Sequence, residues 1–263
     1  MIVGNWKMHL DVSQASLLVH RISERIHAHQ DVEVIIAPSL LTMQPISVQL
    51  DRRKFRLAAQ NGYQIDEGAY TGEVSFAMLQ ELVHYAIIGH SERRTYFGED
   101  LPIVRDKVAA ALRNGISPIL CVGETKQEKL LGESKQVLHD QVTTALSNVT
   151  SANVDQVVLV YEPQWTITTF DGVPAKPDEV ESAIAFIRHQ ITELYGKKAA
   201  EGVRVLYGGS VNLDTVHSYL AAKGCDGVLV GSASLNYETF SNLVNIAHDH
   251  RDSRQKKDSD GNE

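Results

Sequence analysis

Eight short runs of apolar, often β-branched residues alternate along this chain with longer segments of helical period. Parallel strands joined by crossover helices produce this alternation. The runs are almost continuously hydrophobic, which predicts strands that are covered on both faces. The predicted strands are Ile2 to Gly4, Val32 to Ala37, Phe55 to Gln60, Tyr85 to Gly89, Ser117 to Val122, Gln156 to Tyr161, Val203 to Tyr207 and Gly227 to Val230.

Two α/β architectures fit such a chain, a closed barrel and a doubly wound open sheet. Eight regular units without a second domain favour closure, and so do the polar residues that follow the strands. The length of 263 residues, with 43% of them hydrophobic, suits one large domain. We predict a single-domain (β/α)8 barrel over residues 1–250. Residues 251–263 are polar and have no apolar face, so we expect a disordered charged tail without function.

Composition limits the partners and cofactors. The formal charge is −8, and the sequence has no basic stripe with interleaved aromatic residues, which argues against nucleic acid. It also has no run of 18 apolar residues and no signal peptide, and its two cysteines suit a reducing compartment, so a cytoplasmic protein is expected. Nucleotide-binding glycine motifs, nucleophile elbows and Cys/His ligand clusters are not found in the sequence, so we expect no cofactor and no metal.

Three side chains that can perform acid–base chemistry follow predicted strands. Lys7 follows the first strand, where a fixed ammonium could attract an anion. His90 follows the fourth, before Ser91 and Glu92, which are interpreted as the cap and first turn of a short helix that would disfavour a charged ring. Glu162 follows the sixth, where partial burial would make it a stronger base. For a lone lysine an ordinary surface residue is the favoured interpretation, and for a lone histidine a structural one; Glu162 could likewise be a structural glutamate paired with a basic side chain.

Small residues follow the last two strands. Gly208, Gly209 and Ser210 come after the seventh strand, and Gly231 and Ser232 come after the eighth. Such positions let backbone amides approach an anion, and two of them in these places match the phosphate site common in barrels of this class. A base, a neutral electrophile, a cation and a phosphate site together suffice for proton transfer beside the carbonyl of a phosphorylated sugar.

Four motifs give the chain a close resemblance to the triosephosphate isomerase family, from Ile2 to about Ile246. They follow the first, fourth, sixth and seventh strands in this order: Asn5-Trp6-Lys7-Met8, Gly89-His90-Ser91-Glu92-Arg93-Arg94, Tyr161-Glu162-Pro163-Gln164-Trp165 and Tyr207-Gly208-Gly209-Ser210-Val211. The resemblance implies a TIM barrel that interconverts dihydroxyacetone phosphate and glyceraldehyde 3-phosphate in glycolysis and gluconeogenesis.

The resemblance also implies catalytic roles. Glu162 would shuttle a proton between C1 and C2 of the substrate, and His90 would polarise the carbonyl. Asn5 and Lys7 would position and stabilise the enediolate, with Glu92 as a nearby charged partner.

Phosphate binding and dimerisation are implied in the same way. The phosphate would be bound by the lid that follows Trp165 and by residues after the last two strands, namely Thr168, Ser210, Gly231 and Ser232. The family is homodimeric, so the loop from Tyr63 to Glu73 would insert into a second copy, where Thr71 would approach the active site.

The lid departs from the family pattern. Ala-Ile-Gly-Thr-Gly is usual after the tryptophan, whereas this chain has Thr166-Ile167-Thr168-Thr169-Phe170 and is longer by about two residues. This difference leaves a rival activity open, an isomerase of a longer ketose phosphate such as a tetrulose phosphate. A second rival is a catalytically inactive barrel, which the presence of all four catalytic side chains disfavours.

Overall fold

Eight parallel strands close into a barrel in the computed structural model, which describes residues 1–27 and 31–260. The strands pair in chain order, and the first pairs with the last, with Gly4 opposite Val230. Every predicted strand is confirmed, with its ends within two residues of the predicted ones. The strands are β1 (Ile2–Asn5), β2 (Val34–Ala37), β3 (Phe55–Ala59), β4 (Tyr85–Ile88), β5 (Ser117–Val122), β6 (Val158–Tyr161), β7 (Arg204–Tyr207) and β8 (Val228–Val230).

Helices surround the barrel and connect its strands. In the described part of the chain these are α1 (Val12–Arg25), α2 (Leu40–Gln49), α3 (Phe76–Leu79), α4 (Ser91–Phe97), α5 (Leu101–Arg113), α6 (Lys126–Leu130), α7 (Ser134–Leu146), α8 (Pro177–Tyr195), α9 (Lys197–Gly202), α10 (Val216–Ala221) and α11 (Tyr237–Asp260). Short 3-10 turns occur at Val154–Gln156, Gln164–Thr166 and Ser232–Leu235. The predicted single-domain (β/α)8 barrel is therefore confirmed as the fold.

The strands are buried on both faces, as their continuous hydrophobicity predicts. Along β1, Val3 belongs to the cluster inside the barrel, whereas Ile2 belongs to the larger cluster between strands and helices. This division follows from the alternation of side chains along a strand. The interior cluster consists of Val3, Ile35, Ala37, Ala58, Tyr85, Ile87, Ile119, Cys121, Val158, Val160, Leu206 and Leu229.

Helix α1 shows how the local sequence places an outer helix. Its capping residue Asp11 accepts a hydrogen bond from the backbone N–H of Gln14, whose side chain accepts one from the Asp11 N–H in return. Such a capping box satisfies two backbone donors that the helix leaves unpaired. The sequence pattern Leu17-Leu18-Ile22-Ile26 predicts one apolar face for this helix. The structure buries Leu18 and Ile22, whereas Leu17 is 50% exposed and does not belong to that face.

The last helix continues into the predicted tail. Helix α11 ends at Asp260, although the sequence predicts disorder from residue 251 onward. Extending a helix that is already packed requires no new nucleus, which explains how a segment without an apolar face can remain helical. Residues 261–263 lie outside the described residues. Among the described residues, no helix is long and apolar enough to cross a membrane.

Candidate active site

One pocket at the carboxyl ends of the strands contains the predicted catalytic and phosphate-binding residues. It has a volume of about 160 Å³. Lys7, His90 and Glu162, which follow strands β1, β4 and β6, all line it. His90 is 5% exposed and Glu162 only 2%. The predicted residues that line the pocket are Asn5, Lys7, His90, Glu162, Thr168, Ser210, Gly231 and Ser232.

The carboxylate of Glu162 contacts the ring of His90. Its Oε1 lies 2.8 Å from Nε2 of His90, and its Oε2 accepts a hydrogen bond of 3.0 Å from the backbone N–H of Ser91. The backbone is fixed on the other side, since the Glu162 N–H donates to the carbonyl of Val122 at 2.7 Å. A Cβ on Gly123 would lie 2.1 Å from the Glu162 carbonyl oxygen, so only glycine allows this close approach.

The ring of His90 caps helix α4. Its Nδ1 accepts a hydrogen bond of 3.2 Å from the backbone N–H of Glu92, which makes His90 itself the capping residue. The prediction that Ser91 is the cap was wrong by one residue. Because Nδ1 accepts a bond, its proton is absent and the ring proton lies on Nε2, directed at Glu162. The histidine therefore presents a neutral donor to the pocket.

Lys7 is held in a strained backbone conformation and in an ion pair. Its φ angle is +51°, a left-handed value that costs a non-glycine residue about 1–3 kcal/mol. The Lys7 N–H donates to Oδ1 of Asn5 at 3.1 Å, and its carbonyl accepts from Nε2 of Gln60 at 2.8 Å. Its Nζ lies 2.6 Å from Oε1 of Glu92. These contacts compensate for the strain and direct the ammonium toward the pocket.

The carboxyl of Glu92 is the counter-ion of this lysine. Burial raises its pKa, but the hydrogen bond from Lys7, together with the neighbouring His90, the charge of Lys7 and the hydrogen bond from Thr169, outweighs that effect and leaves the pKa below its usual value. The same Oε1 atom also accepts a hydrogen bond of 2.9 Å from Oγ1 of Thr169 in the lid. Glu92 thus joins Lys7 to the lid, although it does not itself line the pocket.

A second buried carboxylate supports the start of the lid. Glu124 is 1% exposed and accepts hydrogen bonds from the hydroxyl of Tyr161 at 3.1 Å and from the indole of Trp165 at 3.0 Å. Burial, together with the negative charge of Glu124, raises the pKa of the Tyr161 hydroxyl, so this group remains a donor. The chain on both sides of Glu162 is therefore anchored to one carboxylate.

The residues of the predicted phosphate site line the same pocket. Gly209 is essential to its shape, because a Cβ there would lie 2.1 Å from the hydroxyl oxygen of Tyr207. After β8, Ser232 begins a 3-10 turn of four residues, Ser232–Leu235, rather than a full helix. Anion binding there would depend on backbone amides and hydroxyls, since so short a turn has little dipole.

The lid, residues 166–176, forms a wall of this pocket. Its tip turns back on itself, and the N–H groups of Phe170 and Gly172 both donate to the carbonyl of Ile167, at 2.9 and 3.0 Å. Gly172 has a φ angle of +67°, so this chain makes its tight turn at a glycine after the positions where the family has its glycines. Thr168 and Thr169 face the pocket from this turn.

Three residues of this site were not predicted from the sequence, and one predicted residue lies outside the pocket. His9 and Thr169 line the pocket, and Gln60 donates a hydrogen bond to the Lys7 carbonyl. Of the three, Gln60 alone could have been found from the sequence, because it lies in the segment Ala59-Gln60-Asn61, which resembles a segment of the family. Thr71 is exposed and lies outside the pocket within a single chain. No group of three His, Cys, Asp or Glu side chains among the described residues could hold a metal ion.

Comparison with known proteins agrees with this geometry. The family model described as triosephosphate isomerase matches residues 1–247. A triosephosphate isomerase from Dehalococcoides mccartyi is 42% identical over 247 residues, which cover 94% of this chain and 96% of the relative. Proteins of the same name from Caldanaerobacter subterraneus and Carboxydothermus hydrogenoformans are 41% and 40% identical, covering 93% and 92% of this chain and 98% and 96% of the relatives.

Proposed function

The chain belongs to the triosephosphate isomerase family, and we propose that Glu162, His90 and Lys7 carry out its reaction. It is an isomerase that interconverts dihydroxyacetone phosphate and glyceraldehyde 3-phosphate, a step of glycolysis. The proposal concerns how its own side chains perform that interconversion. Its main support is the contact of 2.8 Å between His90 Nε2 and Glu162 Oε1 inside a pocket that also contains a lysine and a phosphate site.

Glu162 is the base. Its carboxylate removes a proton from one carbon of the substrate and returns it to the neighbouring carbon, so one group serves both half-reactions. To reach the substrate, the side chain leaves its hydrogen bonds to His90 and Ser91. Its exposure of 2% means that little water competes with the substrate for the carboxylate.

His90 and Lys7 stabilise the enediolate. The proton on His90 Nε2, which points at Glu162 when no substrate intervenes, is donated to the substrate carbonyl oxygen. The Lys7 ammonium shares its charge between Glu92 and the developing oxyanion, and Asn5 fixes the backbone that carries it. Fixed donors of this kind are effective because they require no reorganisation as charge develops.

The phosphate group of the substrate binds opposite the base. Ser210, Gly231 and Ser232 surround it, and the amide of Thr168 in the lid completes the site. A lid above the enediolate excludes water and opposes loss of phosphate from this reactive intermediate.

A coupled assay tests the proposal. The purified protein converts glyceraldehyde 3-phosphate in the presence of EDTA and without an added cofactor, and Glu162→Gln removes this activity while circular dichroism shows an unchanged fold. Retention of activity in Glu162→Gln would exclude Glu162 as the base. Activity that depends on an EDTA-sensitive metal would exclude the cofactor-free mechanism.

The active enzyme is a homodimer in this proposal. A second cavity of about 480 Å³ adjoins the active site, and Lys7, Met8 and Phe97 are among its lining residues. Met8 is 95% exposed and Phe97 66%, an arrangement typical of a surface that another chain covers. The loop of a second copy that contains Thr71 would fill this cavity and approach Lys7.

The mass of the protein in solution tests the dimer. Phe97→Asp places a charge in the cavity and produces monomers at micromolar concentration by light scattering. Leu194→Asp, at a 44% exposed position of α8, is the matched control and leaves the dimer intact. A wild-type monomer, or a Phe97→Asp dimer, would contradict the proposal.

The cytoplasm is the proposed location. Cys121 and Cys225 are both free and buried, which suits a reducing compartment. Fractionation of cells that produce the protein would test this location.

A further inference from the structure

An aromatic pair connects the unusual lid to helix α4. The ring of Phe170, at the lid tip, stacks on the ring of Tyr96 with centroids 5.9 Å apart and an interplanar angle of 20°. Tyr96 is 58% exposed, so the two rings cover each other at the protein surface rather than in the core. Phe170 stands in the part of the lid where the sequence departs most from its family.

Two hydrogen bonds join α4 to the lid and to the segment that leads into it. The hydroxyl of Thr169 donates to Glu92 at 2.9 Å, and the amide of Gln164 donates to the hydroxyl of Thr95 at 2.6 Å. Together with the stacked rings, they dock the lid along the length of α4. A single hydrogen bond between exposed groups would contribute little in water, whereas three adjacent contacts together favour the docked position.

The docked position of the lid affects the proposed catalytic site because α4 also carries part of that site. Its capping residue is His90, and Glu92 in its first turn pairs with Lys7. In the docked position, Thr168 and Thr169 form a wall of the active-site pocket. A contact that keeps the lid on α4 therefore keeps this wall in place beside the catalytic groups.

We propose that Phe170 and Tyr96 form an aromatic latch that holds the lid in its productive position over the active site. The two are positioning residues, since neither lines the pocket. The inference rests on the proposed function, because it assigns the latch to the lid of that isomerase. An aromatic pair of this kind shifts an equilibrium by about 2- to 12-fold, which is the scale of the expected effects.

Hydrogen exchange of the lid amides tests the latch without any substrate. In quench-flow experiments, Phe170→Ala and Tyr96→Ala each accelerate exchange in residues 166–176 by about 2- to 12-fold. The double variant exchanges no faster than either single variant, because each substitution removes the same contact. Phe170→Tyr retains the stack and exchanges at the wild-type rate. Val173→Ala, the control at another exposed lid position, also leaves the rate unchanged.

Kinetics test whether the docked position is the productive one. The two alanine variants raise KM for glyceraldehyde 3-phosphate and raise the inorganic phosphate released per isomerisation by a similar factor. This release occurs when an unprotected enediolate eliminates phosphate. The enediolate oxygen forms a carbonyl, the C=C bond shifts to the carbon that carried the phosphate, and phosphate departs with the electron pair of its C–O bond, which leaves a three-carbon enol aldehyde. A general loss of structure would lower kcat without increasing the fraction of turnovers that release phosphate.

Different results of these experiments would overturn the latch, the productive role of the docked lid, or the proposed function. Additive effects of Phe170→Ala and Tyr96→Ala on exchange would overturn the latch, and so would an equal effect of Val173→Ala. A KM that falls or stays constant would overturn the productive role of the docked lid. A wild-type protein without isomerase activity would instead refute the proposed function, while the exchange experiment would still test the stack.

Discussion

Shortening Glu162 to Asp moves the catalytic carboxylate while preserving its charge. Loss of one methylene withdraws the oxygens by about 1.5 Å. In the structure, Oε1 of Glu162 lies 2.8 Å from Nε2 of His90. The substituted carboxylate would lie roughly 4.3 Å from that atom, beyond hydrogen-bond distance, if the backbone stayed in place. The backbone is held by its bond to Val122 and by the close packing of Gly123, so it cannot follow.

The expected loss of activity follows from this displacement. A misplacement of 1 Å costs a reaction about 10²-fold, so 1.5 Å should lower kcat by about 10²- to 10³-fold. That factor corresponds to about 3–4 kcal/mol in the activation barrier. KM should change by less than about threefold, because three of the four residues proposed to bind phosphate, Ser210, Gly231 and Ser232, follow other strands than Glu162 does.

The coupled assay with glyceraldehyde 3-phosphate measures both constants. Glu162→Gln is the comparison, since it retains the length of the side chain and removes its basicity; its kcat should fall below that of Glu162→Asp. Urea unfolding serves as the stability control, because both variants alter the acceptor of the Ser91 N–H. A Glu162→Asp enzyme with wild-type kcat, or with its loss confined to KM, would refute the reasoning from distance.

Two further predictions concern charged side chains. Lys7→Ala removes the ammonium from the pocket and leaves Glu92 without its partner at 2.6 Å. The inhibition constant of inorganic phosphate should therefore rise by about tenfold or more. An unchanged inhibition constant would exclude a role for Lys7 in anion binding. Lys107→Met removes a 3% exposed ammonium that lies 2.5 Å from buried Glu99. Arg93 remains beside Glu99, so the variant should lose about 2–4 kcal/mol in urea unfolding, and a loss below about 1 kcal/mol would argue against this energetic account.

The strands could be predicted because each is buried on both faces. A run such as Ser117–Val122 has no polar alternation, and its hydrophobicity marks both its existence and its type. Helix faces were less certain, as Leu17 illustrates, since a neighbouring apolar residue can point to solvent when the face is narrow. The sequence also could not identify His90 as a helix cap, because histidine is not among the usual capping residues.

The convergence of the proposed catalytic residues in one pocket was predictable for a different reason. Parallel strands of a barrel all end on one side, so Lys7, His90 and Glu162 converge wherever the eight runs are correctly identified. Their mutual distances do not follow from the strands. The pairing of Lys7 with Glu92, for example, depends on a left-handed backbone at a lysine, which composition and periodicity do not reveal.

The lid could not be predicted because its position depends on contacts between distant parts of the chain. Phe170 packs on Tyr96, which lies near the end of α4, whereas His90 and Glu92 lie at its beginning. One short helix therefore carries both the catalytic groups and the surface that receives the lid. Because the lid contacts are distributed along α4, the lid tip can exchange glycine flexibility for an aromatic contact without displacing His90. A lid of unusual sequence is thus compatible with an unchanged set of catalytic side chains.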